Sequence, residues 1–209
     1  MADRSPAFQQ FMASTDIDYM RWHDGEPYDL AALAELRGEE RDEIEHWLLA
    51  RADRDWRDLE GLLALDTARG RDAVVHQLRH GSIEMRLAAA RRLPPDRGIE
   101  ADREAAIIDG LEEATLVTGM STAIELAAAH ATPAVIDALF RATLRSDREP
   151  SVHAAALLAF LHGHAKEAFD WDRRSFYLEF AEEDPRVREM AFRRLCAECG
   201  VDPEPYLET

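Results

Sequence analysis

Two short motifs carry residue types at spacings that can do chemistry: His162-Gly163-His164 and Cys196-x-x-Cys199. Imidazole nitrogens two residues apart can ligate zinc. A zinc site takes three or four ligands, and Asp170 and Asp172 are the plausible helpers. The tripeptide also has the form of a helix end, with glycine as the left-handed cap and histidine favoured by the dipole. Cys-x-x-Cys has the spacing of a redox or metal pair. A redox pair sits at a helix N-terminus, where the dipole lowers a thiol pKa, whereas Cys196 and Cys199 end a helical pattern just before Gly200. One such pair does not complete a structural zinc site, so the two read as core or surface thiols. There is no Gly-rich phosphate loop, no Gly-x-Ser-x-Gly and no His-Glu-x-x-His. The expectation is a protein that is not an enzyme and carries no metal or cofactor.

Other residues point to contact rather than catalysis. Phe169-Asp170-Trp171-Asp172-Arg173-Arg174-Ser175-Phe176-Tyr177 interleaves aromatics with charges. Trp, Tyr and Arg are the usual anchors of interfaces; the same cluster also fits packing between repeats, with Asp172 as an N-cap. Trp22-His23-Asp24 has the same two readings. The run Glu39-Glu40-Arg41-Asp42-Glu43-Ile44-Glu45 opens a helix, where acids complement the dipole. Its acid density exceeds what one helix start needs, which suits a patch for a basic partner. The expected protein-binding set is therefore Trp22, Asp24, Glu39, Glu40, Asp42, Glu43, His162, His164, Asp170, Trp171, Asp172 and Tyr177.

The charge agrees with that set. Acidic residues number 42 against 25 basic ones, a net charge of −17. Residues 1–66 alone carry −10. Such a field repels phosphate backbones and attracts cationic proteins, so the partner class is a basic protein and not nucleic acid. The first residues lack the apolar core of a signal peptide, and the longest apolar run, residues 154–161, is too short to span a bilayer. A cytoplasmic protein, free of membrane and monomeric on its own, is the expectation.

Helices carry these residues. Ala, Leu, Arg and Glu dominate, and they lose little side-chain freedom in a helix. Residues 1–27 show no clear period and read as an irregular arm, with a short helix over 6–13 docked by its aromatics. From Asp29 onward apolar residues recur every three or four positions: Leu30, Leu33, Ala34, then Ile44, Trp47, Leu48, then Leu59, Leu62, Leu63. Cap signals at Thr67, Ser82, Thr132-Pro133 and Asp184-Pro185 divide this pattern into about eleven helices. Connectors are short, so neighbouring helices pack antiparallel. Residues 28–209 read as one domain, with residues 28–54 as a capping helix pair.

An internal repeat runs through that domain. Asp184-Pro185-Arg186-Val187-Arg188-Glu189-Met190-Ala191 aligns with Glu149-Pro150-Ser151-Val152-His153-Ala154-Ala155-Ala156 at an offset of 35 residues. The second copy aligns with Ser82-Ile83-Glu84-Met85-Arg86-Leu87-Ala88-Ala89 at an offset of 67. Thr67-Ala68 and Thr132-Pro133 repeat 65 residues apart, with a degenerate copy around Gly119-Met120-Ser121-Thr122-Ala123.

The Asp-Pro-x-Val-Arg-x-x-Ala pattern at residues 184–191 resembles the start of the second helix of a HEAT repeat, and the likeness covers roughly residues 55–199. It implies an all-α, HEAT-like α-α superhelix: a short solenoid of about four to five antiparallel helix pairs, preceded by an N-terminal arm. It implies that the acid caps the helix, the proline begins it, the valine packs inside and the arginine joins a capping network. The His-Glu dipeptides that hold metal in HEAT-type hydroxylases have no counterpart here, since no histidine precedes a glutamate. The chain also looks like small bacterial HEAT-like proteins, some of which are immunity proteins that bind and neutralise toxins. That likeness implies an acidic binder of a toxin domain. A regulatory scaffold for a host enzyme or assembly is the alternative, and a metal-dependent enzyme using His162 and His164 is a third.

Overall fold

The computed structural model describes residues 4–16, 25–145 and 148–208. Trp22 and Asp24 lie outside the described residues. Thirteen α-helices and two 3-10 turns, with no β-strand, make up the regular structure among the described residues. No helix there is long and apolar enough to cross a membrane. The chain divides into two units, Met1–Pro95 and Asp96–Thr209.

The first unit holds α1 (Pro6–Thr15), α2 (Leu30–Glu35), α3 (Gly38–Leu49), α4 (Trp56–Ala64), α5 (Ala68–His80) and α6 (Ile83–Arg92). Five of the six starts are local hydrogen-bond solutions, and α3 begins at Arg37 with no side-chain cap. Ser5, Asp29, Asp55, Thr67 and Ser82 accept an orphan N–H of the following turn. α1 packs on α2, α5 on α4 and α6, and α3 on α4. Alternate helices also touch: α2 with α4, α3 with α5 and α4 with α6. The core is the apolar stripe of each helix, with Leu33, Ile44, Leu48, Leu59, Leu62, Val74 and Leu78 enclosed. Gly70 sits where α5 meets α4 so closely that a Cβ would lie 2.7 Å from the Leu62 carbonyl oxygen.

The second unit holds α7 (Glu100–Glu113), α8 (Met120–Ala129), α9 (Pro133–Ala142), α10 (Arg148–Leu161), a 3-10 turn (Trp171–Arg173), α11 (Arg174–Leu178), a second 3-10 turn (Glu179–Ala181), α12 (Pro185–Cys199) and α13 (Glu204–Leu207). α10 is its centre: α8, α9, α11, α12 and the second 3-10 turn all pack on it. Residues 154–159 are buried on every face, which explains a run too apolar for a one-sided helix. Four of those six are alanines, so neighbouring backbones approach closely. Thr132 and Asp184 cap α9 and α12 through their side chains, each followed by proline in the first turn. Glu149 lies inside the first turn of α10 rather than before it. The degenerate copy starts α8 with Gly119 at φ +107° and no side-chain cap.

Candidate functional site

The aromatic stretch at residues 169–177 begins where α10 stops. Gly163 takes φ +79°, and the N–H groups of Gly163 and His164 return to the carbonyls of Phe160 (2.9 Å) and Ala159 (2.8 Å). The His-Gly-His motif is thus a helix cap in the left-handed conformation. His162 places Nδ1 2.9 Å from the Leu158 carbonyl, with its ring edge-on to Phe140, while His164 is exposed. Among the described residues no three His, Cys, Asp or Glu side chains converge as a metal-ligand set.

Asp170 then fixes the turn. Its buried carboxylate accepts the N–H groups of Lys166 and Asp172, each at 3.0 Å, and those bonds hold it below the usual carboxylate range. Phe169 packs 5.5 Å from Tyr177 and 5.4 Å from His153. Trp171 meets Phe169 edge-on at 5.6 Å and lies 5.6 Å from the Arg174 guanidinium, yet 69% of it stays exposed. Asp172 is exposed and pairs with Lys166 Nζ at 2.6 Å. Arg173 bridges Glu198 at 2.5 Å and the His164 carbonyl at 2.7 Å, tying the turn to α12.

The stretch therefore splits by role. Trp171 is presented to solvent on an ordered turn. Asp170 is scaffold. Tyr177, expected among the binding residues, is 0% exposed and cannot touch a partner. Burial pushes its pKa up, and its hydroxyl has no hydrogen-bond partner among the described residues.

The acidic run of α3 divides in a similar way. Glu40 accepts the Ser5 N–H at 2.8 Å and the Ser5 hydroxyl at 2.5 Å, which lowers its pKa. Glu43 pairs with Arg4 at 2.5 Å. Two of the four acids expected to meet a partner thus hold α1 in place, and Phe11 is buried behind them against Tyr28. Glu39 and Asp42 remain exposed.

Several arginine–aromatic pairs turn out to be internal. Arg51 lies 4.4 Å over Trp47, Arg92 4.3 Å over Trp56 and Arg57 5.5 Å over Tyr28. Beside them Asp58, 0% exposed, accepts the Tyr28 hydroxyl. The only local signal for this buried pair is that Asp58, Leu62 and Leu65 share one helical face and so place an acid on an apolar stripe. Cys196 is buried and Cys199 half-buried, and burial raises their thiols to about 12 and about 11. Exposed aliphatic residues outside the expected set include Leu116 and Val117 on the α7–α8 turn, and Met190 on α12.

Comparison of the chain with protein families, curated proteins and solved structures finds no match.

Proposed function

We propose that this chain is a protein-binding module of stacked helix pairs whose acidic exterior engages a basic protein. The observation that carries this reading is Trp171. A tryptophan that is 69% exposed, on a turn held by a buried carboxylate, forfeits most of the burial its ring could gain. Such a ring recovers that burial against a partner, and tryptophan is among the residues enriched at interface hot spots. The net charge of −17 sets the sign of the partner, because opposite charges speed encounter and exclude like-charged competitors. The touching of alternate helices within each unit supports the stacked-pair reading, since repeat arrays bury their apolar faces on neighbouring copies. A toxin domain with a cationic working face is the partner class to which the likeness to immunity proteins leads.

The test is affinity capture from the native host with the whole chain and with Trp171→Ala, at low and high salt, read by mass spectrometry. The expected result is a basic protein retained at low salt, released at high salt and lost with the variant. Partners that are acidic or neutral, or whose retention ignores both salt and Trp171, would sink the reading.

A further inference from the structure

One end of the second unit exposes apolar surface in an ordered setting, and that surface is separate from Trp171. The α7–α8 turn is held by the Thr115 N–H donating to Thr118 Oγ1 at 2.7 Å and by the N–H groups of Thr118 and Met120 donating to the Thr115 carbonyl at 3.1 and 3.0 Å. At its tip Leu116 is 55% exposed and Val117 86% exposed. A turn built this firmly with aliphatic side chains outward gains nothing from them in the isolated chain.

Beside it runs a groove of about 680 Å³, between the C-terminal end of α9 and residues 201–206. Leu144, Val201, Pro205 and Tyr206 give it apolar walls. Tyr206 is held in place: its hydroxyl donates to Asp137 Oδ1 at 2.7 Å, and its ring packs on Phe140 at 5.5 Å and Phe192 at 5.8 Å. Two links join the groove side to the end of α7 that leads into the turn. Arg141, in the groove lining, pairs with Glu112 at the end of α7 at 3.5 Å. Arg145 donates to the carbonyls of Leu111 (2.7 Å) and Ala114 (3.2 Å), just before the turn. The rim is acidic. Asp202 is exposed, and Asp202, Asp137 and Glu112 face two cations there: Arg141, shared by Glu112 and Asp137, and Arg145, engaged with the carbonyls.

We infer that this groove and the Leu116-Val117 tip together dock a cationic amphipathic segment of a partner protein, with its apolar side chains in the groove and its Lys or Arg side chains on the acidic rim. The inference rests on the reading of the chain as a binder of basic proteins and names the surface that does it. Charge selects the occupant. An acidic segment is repelled by the rim, and an anionic membrane is repelled by the same carboxylates, although its lipid would accept the aliphatic tip.

The experiment uses the full chain with a synthetic, end-capped amphipathic peptide of leucine and lysine, its counterpart with every lysine replaced by glutamate, and phosphatidylcholine vesicles with and without phosphatidylserine. Binding is read by fluorescence anisotropy, and its place by amide hydrogen exchange. The lysine peptide is expected to bind, to weaken with salt, and to slow exchange in residues 112–118, 137–145 and 201–207. Leu116→Ser with Val117→Ser, both exposed and harmless to folding, is expected to weaken binding about tenfold. Leu144→Ser is expected to do the same from the groove side. Protection confined to α3 or to the Trp171 turn, with both variants silent, overturns the groove and leaves the basic-partner reading standing. Failure of the lysine peptide to bind, or equal binding of the glutamate peptide, overturns both. Vesicle binding that protects the turn replaces the protein occupant with lipid.

Discussion

Tyr28 donates its hydroxyl proton to Asp58 Oδ1 at 3.0 Å, with both side chains buried in the first unit. Arg51 Nε lies 3.5 Å from the same oxygen, while Arg57 is drawn away to Asp55 through Nε at 2.9 Å. Asp58 Oδ2 has no hydrogen-bond partner among the described residues. Burial therefore dominates, raising the Asp58 pKa from 3.8 to about 6 against the opposing pull of Tyr28 and Arg51. The same burial, with Asp58 beside it, raises Tyr28 to about 12, so the phenol stays a donor.

The sign of the pH effect follows from that shift. The folded chain holds the Asp58 proton more tightly than the unfolded chain does. The charged carboxylate thus opposes folding above about pH 6, and the opposition fades as pH falls from about 6 to about 4. The effect is of order 3 kcal/mol at most. Asp58→Asn removes the titration, so the wild type is expected to gain stability relative to the variant between about pH 7.5 and about pH 5. Parallel denaturation midpoints for the two proteins across that range would rule this out.

Thr67 serves two neighbours at once. Its Oγ1 accepts the Gly70 N–H at 3.0 Å and donates to Glu45 Oε1 at 2.5 Å. Thr132 repeats the arrangement with Val135 and Glu104, at 3.3 and 2.5 Å. Thr67→Ala loses a helix cap and a partner of a carboxylate that is only 7% exposed, and is expected to cost about 1–2 kcal/mol. Thr67→Ser keeps both bonds and should stay within about 0.5 kcal/mol of wild type. Thermal unfolding of the pair checks this, and equal losses in both would show that the methyl group matters and the hydroxyl does not.

Trp171 and Tyr177 should respond in opposite ways. Trp171→Ala removes a mostly exposed ring, so stability should move by no more than about 0.5 kcal/mol while partner binding is lost. Tyr177→Phe removes a buried hydroxyl without a partner and is expected to stabilise by about 1 kcal/mol, with binding unchanged. A Tyr177→Phe protein that unfolds more easily than wild type would mean that the hydroxyl is satisfied in solution.

Cys196 and Cys199 should behave as inert thiols. Burial holds both well above neutral, and thiolate is the reactive form. Iodoacetamide at about pH 8 is expected to leave Cys196 unlabelled in the native chain and to label both once it is unfolded. Rapid labelling of native Cys196, followed by peptide mass mapping, would contradict the buried placement.

Features that depend on a few consecutive residues are readable from the chain alone. Thr67, Ser82, Thr132 and Asp184 were legible as helix starts and Gly163 as a left-handed stop, because each satisfies backbone groups within about five positions of itself. The all-helical character was legible for the same reason, through local spacing of apolar residues. Which charged and aromatic side chains face solvent is set instead by packing between distant parts of the chain. Glu40 answers Ser5 from 35 residues away, Asp58 answers Tyr28 across 30, and Asp137 answers Tyr206 across 69. Trp171 and Tyr177 stand six residues apart with similar chemistry, yet one faces solvent and the other is enclosed. Burial is set by whatever packs across from a residue, and no local spacing encodes that neighbour.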